Sequence, residues 1–212
     1  MKKTCIIEEA AGLRRPLFLS PQIKRKKVHP MLKTERLLLL PAKEDLAPQL
    51  AEYYRRNRDF LRPFEPPREE DFFTAGHQQA LLVQETEAAE QNTSRRFYLQ
   101  LPDQPDRIVG MVGLNNIVWG AFCSAFLGYK LDGDLIGRGY MTEAVAAVTD
   151  FAFSQLRLHR IKANVMPRNR ASLRVLEKNG YINEGLSRYY LNINGVWEDH
   201  VHMVRINFAL HS

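Results

Sequence analysis

Apolar residues recur along the chain with two different spacings, and these predict an alternation of strands and helices. A helical spacing through Leu46, Leu50 and Tyr53 predicts a helix over residues 44–56, and a similar spacing predicts another over 72–89. Between them lies a segment rich in proline, residues 60–67, which we expect to be a loop. Short apolar runs predict strands at residues 36–40, 97–101, 108–118 and 122–131.

The second half of the chain alternates more regularly. The clearest helix is predicted over residues 141–156, because its apolar positions fall on one face. A strand at 160–165 and a short helix follow; Asn169 can cap this helix and Gly180 can end it. Strands near 186–193 and 200–210 are joined by the hairpin turn Asn194–Gly195. This order predicts an α/β (α+β) fold with a mixed sheet flanked by helices.

The positive charge of the protein is confined to its first 30 residues. These contain eight Lys or Arg and two Glu, whereas the rest has 22 bases and 22 acids, so the net charge of +6 arises here. We expect a basic extension at residues 1–30 and a single domain at residues 31–212. Three interpretations of the extension stay open: an arm that contacts RNA or the ribosome, a solvated tail, or a segment upstream of an internal start at Met31.

The remaining composition indicates a cytoplasmic globular protein. No apolar run approaches the roughly 20 residues of a membrane helix, so we expect no membrane partner. The two cysteines, Cys5 and Cys123, have neither metal nor redox spacing.

A glycine-containing loop, Ile136-Gly137-Arg138-Gly139-Tyr140, lies between a predicted strand and the clearest helix. Two glycines allow a sharp turn and a close approach by a ligand. The free N–H groups and the dipole of the helix start favour an anion, for which pyrophosphate is the obvious candidate. Taken alone, the loop fits a simple glycine turn as well, because Thr142 replaces the third glycine of a dinucleotide-binding loop.

Further segments at ordered separations make the loop more specific. They are LGYKL (127–131), GRGYMTEA (137–144), NVMPRNRAS (164–172) and EKNGYINEG (177–185), together with TERL (34–37), PFEP (63–66) and NGVWEDH (194–200). Over about residues 32–208 the chain resembles the GNAT superfamily of N-acetyltransferases. Within that superfamily it is similar to the branch that acetylates N-terminal alanines of ribosomal proteins.

The resemblance implies a fold and a co-substrate. The GNAT fold has a mostly antiparallel sheet of about seven strands, splayed at one parallel pair, here the strands that end near Leu131 and Met166. Acetyl-CoA would lie in the gap, with its pantetheine paired to a strand edge. Its pyrophosphate would rest on the amides of Gly137, Arg138, Gly139, Tyr140 and Met141. An amine would then attack the thioester directly, and no metal is required.

At the family's other site positions, this chain matches the family pattern at some residues and departs from it at others. Asn164, Asn169 and Ser172 occupy positions that face the cofactor in the family. Asn169 also reads as a helix cap, and Ser172 is either a proton donor to the leaving thiolate or an ordinary first-turn serine. Asp134 stands where the family commonly has Gln or Arg at the start of the phosphate loop.

No residue is identified as the general base, because Leu191 lies at the position where a relative carries an acid. Glu65 and Glu184 are candidates, although each also reads as a surface or turn carboxylate. An α-amine of pKa about 8 is roughly one tenth neutral at pH 7, so it needs less help from a base than lysine does. A water could serve. By resemblance, Trp197 and His200 would line the acceptor groove; Asp199, His200 and His202 lack the spacing of a metal site.

We therefore expect an enzyme that acetylates the N-terminus of a peptide, plausibly of a ribosomal protein. One alternative is acetylation of a small amine. An acceptor groove rich in acids would favour a polyamine as that amine. The other is a non-catalytic factor that binds ribosomal precursors through the basic extension.

Overall fold

The computed structural model describes residues 30–211, so the expected basic extension lies outside the described residues except for Pro30. The strands are β1 (Leu32–Lys33), β2 (Leu38–Pro41), β3 (Arg95–Gln100), β4 (Ile108–Val118), β5 (Ser124–Leu131), β6 (Arg160–Val165), β7 (Ile182–Ile193) and β8 (Val196–Ile206). The helices are α1 (Ala47–Arg56), α2 (Arg58–Leu61), α3 (Ala75–Glu90), α4 (Tyr140–Ser154) and α5 (Arg170–Lys178).

All eight strands form one sheet in the order β1-β2-β3-β4-β5-β6-β8-β7. Every neighbouring pair is antiparallel except β5 and β6, which run parallel. The predicted mixed, mostly antiparallel sheet with one parallel pair is confirmed. The sequence indicated about seven strands because β1 has only two residues, too few to show an alternating pattern.

The sheet has a hydrophobic core on each face. On one face α4 packs its predicted apolar side against the central strands, with Ala144, Val145, Val148 and Ala152 fully buried. On the other face α1 and α3 cover the β2–β4 half, where Tyr54, Phe72 and Met111 belong to a separate cluster. This cluster contains no residue of β6, β7 or β8. On this face of the sheet, those three strands are therefore less covered than β2–β4.

Two predicted elements differ in detail. The proline-rich segment is not an open loop throughout, because α2 and a 3₁₀ turn at Arg62–Phe64 occupy its first part. Pro63 is tolerated there since the first positions of a helical turn need no N–H donor. The helix predicted from residue 72 begins at Ala75, where Thr74 Oγ1 accepts a hydrogen bond from His77 N. No helix in the described part of the chain is long and apolar enough to span a bilayer.

Candidate functional site

Strands β5 and β6 separate soon after they begin. They pair only between Ser124–Phe126 and Arg160–Lys162, yet β5 continues to Leu131 and β6 to Val165. On its other side β5 stays paired with β4 as far as Leu131. The edge of β5 from Leu127 onward therefore faces a gap, in which a ligand with amide groups can pair as an added strand would.

The glycine loop lies at the end of this gap, directly after β5. Residues 136–139 are exposed, and both Gly137 (φ 75°) and Gly139 (φ 83°) have the left-handed backbone that favours glycine. Gly139 is the N-cap of α4, and no side chain caps this helix, whereas side chains cap α3 and α5. The first N–H groups of α4 are thus available to an anion.

Asp132 fixes the start of the loop to the rest of the domain. Its carboxylate is almost fully buried and accepts hydrogen bonds from Arg56 Nε and Arg107 Nη2, both at 2.9 Å. Asp134 N donates to its other oxygen at 3.3 Å, and the Asp134 carboxylate lies 3.6 Å from Arg107 Nη2. Burial alone would raise the pKa of Asp132, but the hydrogen bonds from Arg107 and Arg56 outweigh it and hold the pKa below its usual range.

We expect Asp132→Asn to lower the free energy of unfolding by about 3 kcal/mol at pH 7, because both arginines lose a charged partner. Since the folded pKa is depressed, the stabilisation is present above the unfolded pKa of about 3.9 and is lost as the pH falls through the folded value. Urea unfolding at pH 7 and below pH 4 measures both effects. The exposed Asp103→Asn is the control, and equal stability of D132N and wild type at pH 7 would contradict the anchoring role.

The start of α5 lies at the far side of the gap, after β6. Asn169 Oδ1 accepts a hydrogen bond from Ser172 N at 3.1 Å, so Asn169 is the helix cap that the sequence predicted. Ser172 Oγ lies 2.8 Å from the hydroxyl of Tyr129, which also donates to Ser172 O at 3.0 Å. Burial raises the pKa of the Tyr129 phenol, so Tyr129 keeps its proton at and above neutral pH. No motif or spacing in the sequence predicts this pair.

Asn164 lies on the face of β6 opposite α4, within a polar cluster. Its Oδ1 is 2.7 Å from His202 Nδ1, and its Nδ2 donates to the hydroxyl of Tyr190 at 3.3 Å. His202 Nε2 is in turn 2.7 Å from Ser187 Oγ. The side chain of Asn164 is therefore occupied by protein partners, and its predicted contact with the cofactor stays a prediction.

The two predicted carboxylates lie in different places. Glu65 is partly buried and forms an ion pair with Lys130, the next-to-last residue of β5, so it lies close to the gap. Glu184 forms an ion pair with Arg160, the first residue of β6. The two ends of β6 are about 16 Å apart at 3.3 Å per residue, so the structure does not bring Glu184 together with Glu65 and Ser172.

A carboxylate that sequence reasoning missed is Glu198 on β8. It is 19% exposed, forms an ion pair with Arg168, and pairs in register with Leu191, the position where a family base was sought. Arg168 also donates to Pro63 O at 3.3 Å. The alternation of Glu198, His200 and His202 along one strand was the available signal, because such residues share a face.

A cavity of about 700 Å³ lies beside Glu65. Its walls come from α1, α2 and residues 62–68, and Asn194 of the β7–β8 hairpin closes it by donating to Arg62 O at 2.7 Å. The Asn194–Gly195 turn is confirmed, with φ values of 52° and 81°. The charged lining is mainly basic: Arg58, Arg62 and Arg68 against Asp59 and Glu65.

The structure thus gathers Leu131, residues 137–141, Asn169 and Ser172 around one gap, although their contact with a ligand stays a prediction. His200 Nδ1 is 3.0 Å from Glu198 O, and Asp199 Oδ1 accepts from Tyr189 N at 2.9 Å. Between residues 30 and 211 no group of three or more His, Cys, Asp and Glu side chains is placed to hold a metal ion.

The chain is similar to sequences named as acetyltransferases or probable acetyltransferases. A family model described as an acetyltransferase (GNAT) domain matches residues 36–182. The probable N-acetyltransferase YjcK of Bacillus subtilis is 41% identical over 177 residues, which cover 84% of this chain and 97% of that protein. The [ribosomal protein uS5]-alanine N-acetyltransferase of Escherichia coli is 37% identical over 170 residues, 80% of this chain and 87% of that protein.

Solved structures give the same result. The ribosomal-protein-S5-alanine acetyltransferase of Vibrio fischeri has a TM-score of 0.80 at 35% identity and covers 84% of this chain and 97% of its own. RimJ of Mycobacterium smegmatis, solved with CoA-disulfide, has a TM-score of 0.76 at 28% identity, covering 83% and 84%. Since the family model spans most of the chain and both sequence relatives exceed 30% identity, the chain belongs to the GNAT family and is an acetyl-CoA-dependent acetyltransferase related to the ribosomal-protein-alanine acetyltransferases.

Proposed function

We propose that this enzyme transfers the acetyl group of acetyl-CoA to the α-amine of a peptide N-terminus, with a ribosomal protein as the acceptor. The observation that carries this proposal is the cavity of about 700 Å³ between the Arg62–Pro67 segment and the β7–β8 hairpin, beside the end of β5. It is large enough for several peptide residues. The name of the E. coli relative supports an N-terminal alanine as acceptor.

The donor would lie in the gap between β5 and β6. Backbone groups of Leu127–Leu131 would pair with the pantetheine amides, and the uncapped start of α4 would hold the pyrophosphate at residues 137–141. A backbone N–H at 129–131 would polarise the thioester carbonyl, as an oxyanion hole does. Acetyl-CoA supplies the activated acetyl group, and the protein's task is to hold it beside the amine.

The amine would enter from the open face of the sheet, between Glu65 and Glu198. Both carboxylates are partly buried and ion-paired, with Lys130 and Arg168. Such pairs attract an ammonium group only weakly, because each carboxylate already faces a cation. An α-amine is neutral in roughly a tenth of molecules at pH 7, which suits a site without a free strong base. A water held by Glu65 or Glu198 would then take the proton.

The leaving thiolate would receive its proton from Ser172. Tyr129 Oη lies 2.8 Å from Ser172 Oγ, and when the phenol donates there instead of to Ser172 O, the serine hydrogen is free to point into the gap. Burial raises the pKa of this phenol, so Tyr129 keeps its own proton and Ser172 would recover its proton from solvent. We also propose that residues 31–212 form the single catalytic domain and that the basic residues before it contact RNA or the ribosome.

The main rival acceptors are polyamines and other small amines. The cavity lining lacks the excess of acids that would favour a polycation, because three arginines stand beside Asp59 and Glu65 and, within residues 30–211, only Arg58 among them is paired with an outside acid, Glu70. With acetyl-CoA and purified enzyme, we expect turnover of a peptide that begins with alanine. The same peptide with a blocked N-terminus and an internal lysine should react at least about 100-fold more slowly, since the lysine amine has a pKa of about 10.4. We expect spermidine to react slowly as well, because the cavity has no excess of acids to bind it.

Thiol release measures these rates, and tandem mass spectrometry locates the acetyl group. Equal rates for the free and blocked peptides would contradict the α-amine assignment. No turnover of any acceptor, together with loss of ribosome binding on deletion of residues 1–30, would favour the binding-factor interpretation.

A further inference from the structure

The motif TERL, residues 34–37, has no role in the reaction described so far, although its arginine contacts the glycine loop. Arg36 N and Nε each donate to the carboxylate of Glu143 at 2.8 Å, and Nη2 forms an ion pair with it at 2.8 Å. Nη1 donates to Arg138 O at 3.0 Å. The guanidinium also lies 4.6 Å from the centre of the Tyr140 ring. One side chain thus contacts the loop, the helix start and a first-turn acid.

The negative charge of Glu143 lies where it would repel a bound pyrophosphate. It lies in the first turn of α4, where a carboxylate stabilises the helix but opposes the binding of another anion. Burial would raise the pKa of Glu143, but hydrogen bonds from Thr34 and Arg36 outweigh it and keep the pKa below its usual range. The carboxylate is therefore ionised at neutral pH, close to where the pyrophosphate would bind.

The contact with Arg138 O sets the direction of a peptide plane. In a trans peptide the C=O of one residue and the N–H of the next point in opposite directions. Because Arg36 Nη1 holds the carbonyl of Arg138, the N–H of Gly139 points away from Arg36. This orients a donor at the loop for a ligand on the far side.

We propose that Arg36 is a positioning residue for cofactor binding, which neutralises Glu143 and orients the Arg138–Gly139 peptide toward the pyrophosphate. The proposal rests on the proposed placement of the pyrophosphate at residues 137–141. The competing explanation is purely structural: Arg36 would only attach the β1–β2 connection to α4. Arg36 is 42% exposed, so its truncation should leave the fold intact.

Removing the two charges singly and together separates the two explanations. Arg36→Ala removes the cation that neutralises Glu143 but keeps the backbone hydrogen bond, and we expect the Kd for acetyl-CoA to rise about tenfold with little change in kcat. Removing the charge as well, in R36A/E143Q, should restore the Kd to within about threefold of wild type, because the opposing anion is gone. Glu143→Gln alone should bind about as well as wild type. A structural attachment would not be rescued by a second loss.

Isothermal titration of the four proteins with acetyl-CoA gives the Kd values, and steady-state kinetics give kcat and KM. The exposed ion pair Arg55–Glu52 on α1 provides the control, since Arg55→Ala should leave the Kd for acetyl-CoA unchanged. With S-acetylpantetheine, which lacks the pyrophosphate, R36A and wild type should have equal kcat/KM.

Wild-type affinity in R36A, or an R36A/E143Q protein as weak as R36A, would overturn the proposal. A defect of R36A that persists with S-acetylpantetheine would overturn it too. Failure of the pyrophosphate placement is distinguishable, since Gly139→Glu would then bind acetyl-CoA normally. If Gly139→Glu loses binding while R36A keeps it, only the role of Arg36 fails.

Discussion

Gly139→Glu is expected to abolish acetyl-CoA binding while the domain stays folded. Gly139 has φ 83° and is the N-cap of α4, and a Cβ there would lie 3.4 Å from Arg36 Nη2, so the new carboxylate would stand in the loop between Arg36 and the proposed phosphate site. A carboxylate about 4 Å from the pyrophosphate would cost about 4 kcal/mol per charge pair at an effective dielectric constant near 20, roughly a thousandfold in affinity. Isothermal titration measures the binding, and thermal unfolding confirms that the protein is folded.

Gly120→Glu is the matched control for this variant. Gly120 has φ 74°, close to that of Gly139, and a Cβ there would meet nothing within 4 Å. The same residue change therefore imposes a similar backbone cost, roughly 1–2 kcal/mol, at a turn remote from the loop. G120E should bind acetyl-CoA as wild type does. Unchanged affinity in G139E would place the cofactor elsewhere.

Ser172→Ala is expected to lower kcat about 100-fold, because the leaving thiolate loses its proton donor. The Kd for acetyl-CoA should change little, since the backbone contacts and the Asn169 cap remain. Tyr129→Phe should show a smaller decrease of the same kind, because Ser172 then loses only the hydroxyl that orients its hydrogen. Single-turnover kinetics with a saturating alanine peptide separate this chemical step from binding.

Ser154→Ala provides the control, since Ser154 also lies in a helix and its hydroxyl donates only to a local carbonyl, Asp150 O at 2.6 Å. It should have wild-type kcat. If S172A retains wild-type kcat, or if its loss appears only as weaker acetyl-CoA binding, Ser172 is not the proton donor and serves the structure of α5 instead.

Local patterns were sufficient to predict most of the fold. The apolar face of α4, the Asn169 cap and the Asn194–Gly195 turn depend on residues close together in sequence, so their spacing carries the information. The sequence failed where the signal is short or ambiguous. β1 has two residues, and prolines near residue 63 are compatible with both a loop and the first turn of a helix.

The candidate site was harder to predict, because its contacts join distant segments. Arg36 and Glu143 are 107 residues apart, and Tyr129 and Ser172 are 43 apart. No spacing rule connects such pairs. Glu184 was a reasonable candidate by its place near a motif, yet its partner Arg160 lies at the other end of β6. Glu198 becomes a candidate carboxylate only through the register of the β7–β8 hairpin, which places it opposite Leu191.

The central claim is that the acceptor is a protein α-amine. Mass spectrometry of protein N-termini from cells with and without this enzyme tests it most directly, because the α-amines of all cellular proteins compete for acetylation. We expect the loss of N-terminal acetylation from one or a few proteins, ribosomal proteins among them, with internal lysine acetylation unchanged. An unchanged set of acetylated N-termini, with altered acetylation of lysines or small amines, would contradict the account.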